Sequence, residues 1–165
     1  MISIGQVVLY GNQGVFEVTG TETQTFSGIS TDYYVLRGVI ETKRTVYVPS
    51  ANEQLTAKMK PVLTADEVNA LLDTLPNHEN LWIDNENQRR EAYKEILSSG
   101  NRSKMLSLAM TLFDHKNKCQ ASGKKMHQSD ERAFKEAEKL INGEFGYVLG
   151  IDQDEIAKYI SAKVS

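Results

Sequence analysis

The stretch IGQVVLYGNQGVFEVTGTETQTFSGISTDYYVL, residues 4–36, decides how this 165-residue chain is read. It alternates Val, Tyr, Thr and Phe with polar residues, in runs short enough to be strands: QVVLY (6–10), GVFEVTGTETQTF (14–26) and DYYVLRGV (32–39), joined further on by TVYVP (45–49). Turn residues punctuate the runs, with Gly11, Asn12 and Gly14 at one bend, Ser27 and Gly28 at the next, and Glu41 to Lys43 at a third. Four or five strands this short cannot make a wide sandwich. A small, strongly bent barrel of SH3 or Tudor type is the natural closure, because it leaves few strand edges open. Such a shape predicts a binding module.

Working outward, the periodicity changes after Pro49 from two to that of a helix and is expected to stay helical to the end. Thr64 to Glu67 reads as a capping box, followed by a stripe of Val68, Leu71, Leu72 and Leu75 that stops before Pro76. Residues 76–88 are polar apart from Leu81, Trp82 and Ile83, and predict a connection. Helices are expected over about 86–98, then about 102–118 with Met105, Leu108, Ala109 and Leu112 innermost. Another is expected over about 129–142, with Ala133, Phe134, Ala137, Leu140 and Ile141 inward and Gly143 beyond its end. A last short one is capped by Asp152 and Glu155 and ends near Ile160. The fold class is therefore β and α in separate modules: a barrel over residues 1–60 and an all-α bundle over 61–165.

Net charge is −3, which argues against simple coating of nucleic acid, but the distribution is uneven. Residues 1–60 hold five acids and five bases, 61–88 hold six acids and no base, and 89–139 hold twelve bases and seven acids, a local +5. No apolar run approaches the roughly 20 residues of a membrane span. The start MISIGQVV lacks a basic n-region and a cleavage site, which predicts a cytoplasmic protein that does not engage membrane. A single cysteine, Cys119, suits a reducing compartment and rules out an intramolecular disulfide.

Enzymatic chemistry finds little to work with. His78, His115, His127 and Cys119 are the only soft or mid-pKa side chains, and no phosphate-loop, dinucleotide, nucleophile-elbow or zinc-protease motif occurs. His115 and Cys119 lie four apart on one predicted helix, but two ligands do not make a metal site. The expectation is a protein without catalysis, cofactor, metal or small-molecule substrate. The basic residues offer more. Arg132, Lys135 and Lys139 recur on one helix face opposite Ala133 and Ala137, Lys124 and Lys125 precede that helix, and Arg90 and Lys94 are one turn apart on another. They can meet duplex phosphates, or pair with Glu86, Glu91, Glu131, Glu136 and Glu138 beside them. The lone Trp82 either packs between the two modules or acts as an apolar wedge in a DNA minor groove.

Residues 4–36 also resemble the opening of the CarD/CdnL transcription regulators, a module shared with transcription-repair coupling factors: a G-x-x-V-x-Y start, a turn, then G-x-x-x-x-Y-Y-V-L. TVYVPSANEQLTAKMKPVLTADEV (45–68) resembles the family's V-x-V-P-x-x-N segment. A Trp before Arg89-Arg90, an SG break at 99–100 and SDERAFKEAEKLINGEF (129–145) extend the likeness into the helical half. The resemblance implies a Tudor-like module that docks on the β subunit of RNA polymerase, partly by pairing strand edges. It also implies a helical module that touches promoter DNA at the upstream edge of the bubble and stabilises the open complex. Trp82 takes the family's wedge position, and Arg89, Arg90 and Lys94 its basic contacts. Where the family's strands offer arginines to polymerase this chain has Gln24 and Tyr47, so contact through Arg37, Lys43 or Arg44 is implied as well. The alternative is an interaction protein whose β module binds a protein partner while the helices merely brace it, without DNA contact.

Overall fold

A computed structural model describes residues 2–164. The chain divides into two compact units, residues 1–62 and 63–165. The first is an antiparallel sheet of β1 (Val7–Tyr10), β2 (Val15–Phe26), β3 (Ile29–Gly38), β4 (Thr45–Pro49) and β5 (Met59–Pro61), hydrogen-bonded in the order β4-β3-β2-β1-β5. The N-terminal β module followed by a helical part is the layout the patterning predicts. β5 departs from it: residues 59–61 fall where only helix was expected. They pair with Val8–Tyr10 of β1, and Met59 is buried, so core contact outweighs the weak local signal of three residues. A one-turn helix, α1 (Glu53–Thr56), precedes β5, with Asn52 accepting from the Leu55 amide as its cap.

One face of this sheet makes the core. Val8, Tyr10, Phe16, Val18, Leu36, Val48 and Met59 are buried together, with Tyr34 and Val46 packed against them. β2 and β3 form the long ribbon of the unit, joined by a two-residue turn in which Ser27 (φ 51°) and Gly28 (φ 77°) both adopt left-handed backbone. Positive φ at both turn residues matches the right-handed twist of a hairpin. Between Val18 and Gly20 the β2–β3 register shifts by one residue.

The second unit contains α2 (Ala65–Leu72), α3 (Glu86–Ser99), α4 (Arg102–Ala121), α5 (Gln128–Leu149) and α6 (Ile156–Val164). The Thr64/Glu67 capping box forms as expected, and hydrogen bonding from the Thr64 backbone, then from its side chain, holds the Glu67 pKa below the ordinary value. α5 runs well past the stop expected at Gly143. Its far half carries Ile141 and Phe145 into the core with Val68, Leu72, Leu75, Leu106 and Ile156, and that burial exceeds the roughly 1 kcal/mol that each helical glycine costs. Gly150, left-handed at φ 67°, ends it. Asp152 makes no side-chain cap bond; a short 3-10 turn at Gln153–Glu155 leads into α6 instead. Among the described residues no helix is long and apolar enough to cross a membrane.

Candidate interaction surfaces

In the second unit everything around Trp82 converges on Arg89. This arginine follows Asn85, whose side chain caps α3 at the Gln88 amide, so the first turn of the helix aims it inward. It is only 3 % exposed, and Asp130 near the start of α5 is fully buried at 0 %. Arg89 Nε and Nη2 donate to the two Asp130 carboxylate oxygens at 2.9 and 3.2 Å, a bidentate pair. Tyr93, one turn along α3, donates its hydroxyl to Asp130 Oδ1 at 2.7 Å. Burial disfavours the Arg89 cation, yet the hydrogen bonds and charge of Asp130 outweigh it and the pKa rises. The Tyr93 pKa is also raised, by burial first and then by Asp130.

The other half of the Arg89 fork reaches the loop. Nη1 donates to the carbonyls of Ile83 and Asp84 at 3.0 and 3.3 Å, and the guanidinium carbon lies 4.3 Å from the Trp82 ring centroid. His115 of α4 stacks on the same indole at 4.0 Å and 24°, and Trp82 Nε1 donates to Asp84 Oδ1 at 3.1 Å. The loop is fastened to α4 as well: the Leu81 amide donates to Thr111 Oγ1 at 3.1 Å, and Lys104 pairs with Glu79 at 2.8 Å. Trp82 is therefore a half-buried ring held by named partners within this unit, not a side chain on a slack loop.

That placement corrects one expectation. Arg89 was expected at phosphates, but its guanidinium is enclosed by Asp130, two carbonyls and an indole, and is withdrawn from solvent. The other bases are all exposed: Arg90, Lys94, Lys124, Lys125, Arg132, Lys135 and Lys139. Lys94 reaches Glu91 and Lys135 reaches Glu131, each at 3.5 Å on the surface, while Arg90 donates to Asn87 at 2.6 Å. Exposed pairs of this kind contribute about 0–1 kcal/mol and yield readily to another anion. Lys124 and Lys125 stand in the α4–α5 connection, where with Lys116 they line a cleft of about 410 Å³.

Sequence reasoning missed Asp130, Thr111 and His115 as the residues that seat Trp82. Ser129-Asp130-Glu131 reads as an acidic first helical turn, and the 41-residue separation of Arg89 and Asp130 leaves no local trace. His115 and Cys119 do meet, Nε2 to Sγ at 3.5 Å, but among the described residues no group of three or more His, Cys, Asp or Glu is placed to hold a metal ion.

On the first unit, Gln24, Arg37, Lys43 and Tyr47 are exposed. Arg44 is spent internally. Its guanidinium donates to the Gln13 carbonyl at 2.8 Å and to the Gln13 side chain, pairs with Glu41 and lies 5.3 Å from the Phe16 ring, fastening the β3–β4 loop to the β1–β2 turn. Register puts Gln24, Arg37 and Tyr47 on one face. Val18 pairs with Leu36 and Leu36 with Val46 on the core side, so Val35, its partner Tyr47 and Arg37 point the other way, and Gln24 lies on that side opposite Thr31.

The chain thus combines a small antiparallel sheet with two edge strands, β4 and β5, and a separate helical unit bearing exposed bases. Residues 2–63, the first unit, match the CarD-like/TRCF RID domain. The domain type points to RNA polymerase as the protein the first unit engages. No curated protein matches the chain.

Proposed function

We propose that the protein is a transcription regulator that docks on the β subunit of RNA polymerase through its first unit and holds promoter DNA at the upstream bubble edge through its second, stabilising the open complex. On this reading the first sheet bends strongly into a small open Tudor-like barrel, the helices form one bundle, and the site of action is the cytoplasm. The observation that carries the proposal is the coexistence, in one chain, of a CarD-like/TRCF RID domain and a rigidly seated Trp82 on a unit with exposed bases. An indole packed against both a cation and an imidazole meets DNA with its orientation already fixed, so less ordering entropy is lost on contact. Contacts that exist only with the open promoter slow bubble collapse by differential binding, with no catalytic step. The Trp82 ring already packs against Arg89 and His115, which favours an exposed ring edge at the base steps over full insertion.

Trp82→Ala tests this. It is expected to leave polymerase binding intact and to shorten open-complex lifetime several-fold in a competitor-challenge assay; an unchanged lifetime removes Trp82 from the mechanism. The second reading, a protein-binding module braced by helices without DNA contact, is favoured by the Glu91–Lys94 and Glu131–Lys135 pairs, which already occupy two of the bases.

A further inference from the structure

The outer half of the β2–β3 ribbon serves no core. Every residue from 21 to 30 is exposed, and the ribbon runs on past the last β3–β4 pair, Tyr33 with Pro49, by four residues of β3, roughly 13 Å at strand rise. Its tip nevertheless carries the most exposed large apolar side chains of the unit, Phe26 at 84 % and Ile29 at 69 %. The two are directly paired across the strands, so they lie side by side on one face.

The register shift between Val18 and Gly20 decides which face. Before it, Phe16 and Val18 point into the core; after it, Gly20 pairs with Val35 and the even positions of β2 point away. The extra residue therefore places Phe26 and Ile29 on the outer face, with Gln24, Tyr33, Tyr47 and Arg37, where Tyr33 and Tyr47 meet edge to face at 6.2 Å. The opposite face of the ribbon is polar: Thr23 donates to Asp32 at 2.6 Å, and the Thr25 and Ser30 hydroxyls meet at 2.8 Å. The tip of one side of the protruding hairpin is thus apolar, Phe26 beside Ile29, with Gln24, Thr31 and Glu22 further back on the same face, and the other side is satisfied by its own hydrogen bonds.

We propose that Phe26 and Ile29 are an apolar anchor by which the first unit grips its protein partner, RNA polymerase, at a hydrophobic surface on that partner. The occupant is a protein because the ribbon from Thr21 to Asp32 carries two acids, Glu22 and Asp32, and no base, a charge that repels nucleic acid. Phe26 and Ile29, cross-strand paired at the two-residue turn, present one contiguous apolar contact to a partner, and the anchor is continuous with the outer-face positions Gln24 and Tyr47. This inference rests on the reading of the first unit as polymerase-binding.

The test uses the full-length chain and purified RNA polymerase. Phe26→Ser/Ile29→Ser is expected to weaken polymerase binding at least tenfold with thermal unfolding unchanged, because both side chains are solvent-exposed, and Phe26→Leu is expected to stay within about threefold of the native affinity. Equal binding by the native chain and the double variant overturns the anchor while leaving the polymerase reading intact; no binding by the native chain overturns both. Self-association of the native chain that the double variant abolishes, seen by sedimentation, assigns the face to a second copy and also overturns the proposal.

Discussion

At the residue scale, the decisive contact is Arg89 with Asp130. A bidentate guanidinium–carboxylate pair this enclosed is stabilising only because the third guanidinium nitrogen is satisfied too, Nη1 donating to two loop carbonyls, while the guanidinium carbon lies over the Trp82 ring. Tyr93 completes it and gives the site a measurable pH signature. The hydroxyl's folded-state pKa is raised above the ordinary 10.0, so the folded state holds that proton more tightly than the unfolded chain. The sign follows: the contribution is fully present below about pH 10 and is lost as pH rises further. Calorimetric melting temperatures should therefore fall between pH 9 and pH 11 more steeply in the native protein than in Tyr93→Phe. That variant should itself lose about 1.5 kcal/mol at neutral pH, where it removes a hydrogen bond to a charged group. Tyr10, also raised by burial, remains in both proteins, so the difference isolates Tyr93. None of this pairing was legible locally: Arg89 looks like its exposed neighbour Arg90, and only the partner 41 residues away tells them apart.

At the element scale, strands and turns were legible where a local cause acts. The Ser27-Gly28 turn needs left-handed backbone, Thr64 and Glu67 cap reciprocally, and Gly100 ends α3 at φ 73°. Elements set by tertiary contact were not: β5 exists because β1 offers an edge, and α5 continues through Gly143 because Ile141 and Phe145 are needed in the core. The Val18–Gly20 shift is equally silent, since Thr19 reads as an ordinary strand residue, yet it turns the whole distal ribbon over. α5 also shows why a glycine can sit inside a helix. A Cβ on Gly146 would stand 2.8 Å from the Ile151 carbonyl oxygen, where the chain folds back toward α6. Gly146→Ala gains up to about 1 kcal/mol of helix propensity but pushes on backbone, which costs about 1–3 kcal/mol, so it is expected to be net destabilising. Thermal unfolding should report a melting temperature lower by a few degrees; a rise would show that the 150–153 bend yields freely.

At the scale of the molecule, charge separates the two units. Residues 1–62 are neutral by count and 63–165 carry the whole net −3, so the unit proposed to hold DNA is, taken whole, acidic. DNA contact then depends on local clusters, Arg90 with Lys94 on α3 and Lys124, Lys125, Arg132, Lys135 and Lys139 at and along α5, against a repulsive background. Binding should be weak for the free protein and become effective once polymerase docking raises the local concentration, on the order of millimolar for short tethers. Salt dependence measures this. Each phosphate contact contributes about 0.9 to the slope of log affinity against log salt for duplex DNA, and two of the seven exposed bases must first leave a glutamate. With those two still paired the slope magnitude is expected to be at most about 4.5, against about 6 if all seven made contacts. A fluorescence anisotropy titration of a promoter duplex across 50–200 mM salt reads it directly. A flat response means that the bases are solvated surface and the helices only a brace for the polymerase-binding unit. A steep one, with Trp82→Ala leaving the slope unchanged, assigns affinity to the lysines and arginines and leaves the indole its separate task at the base steps.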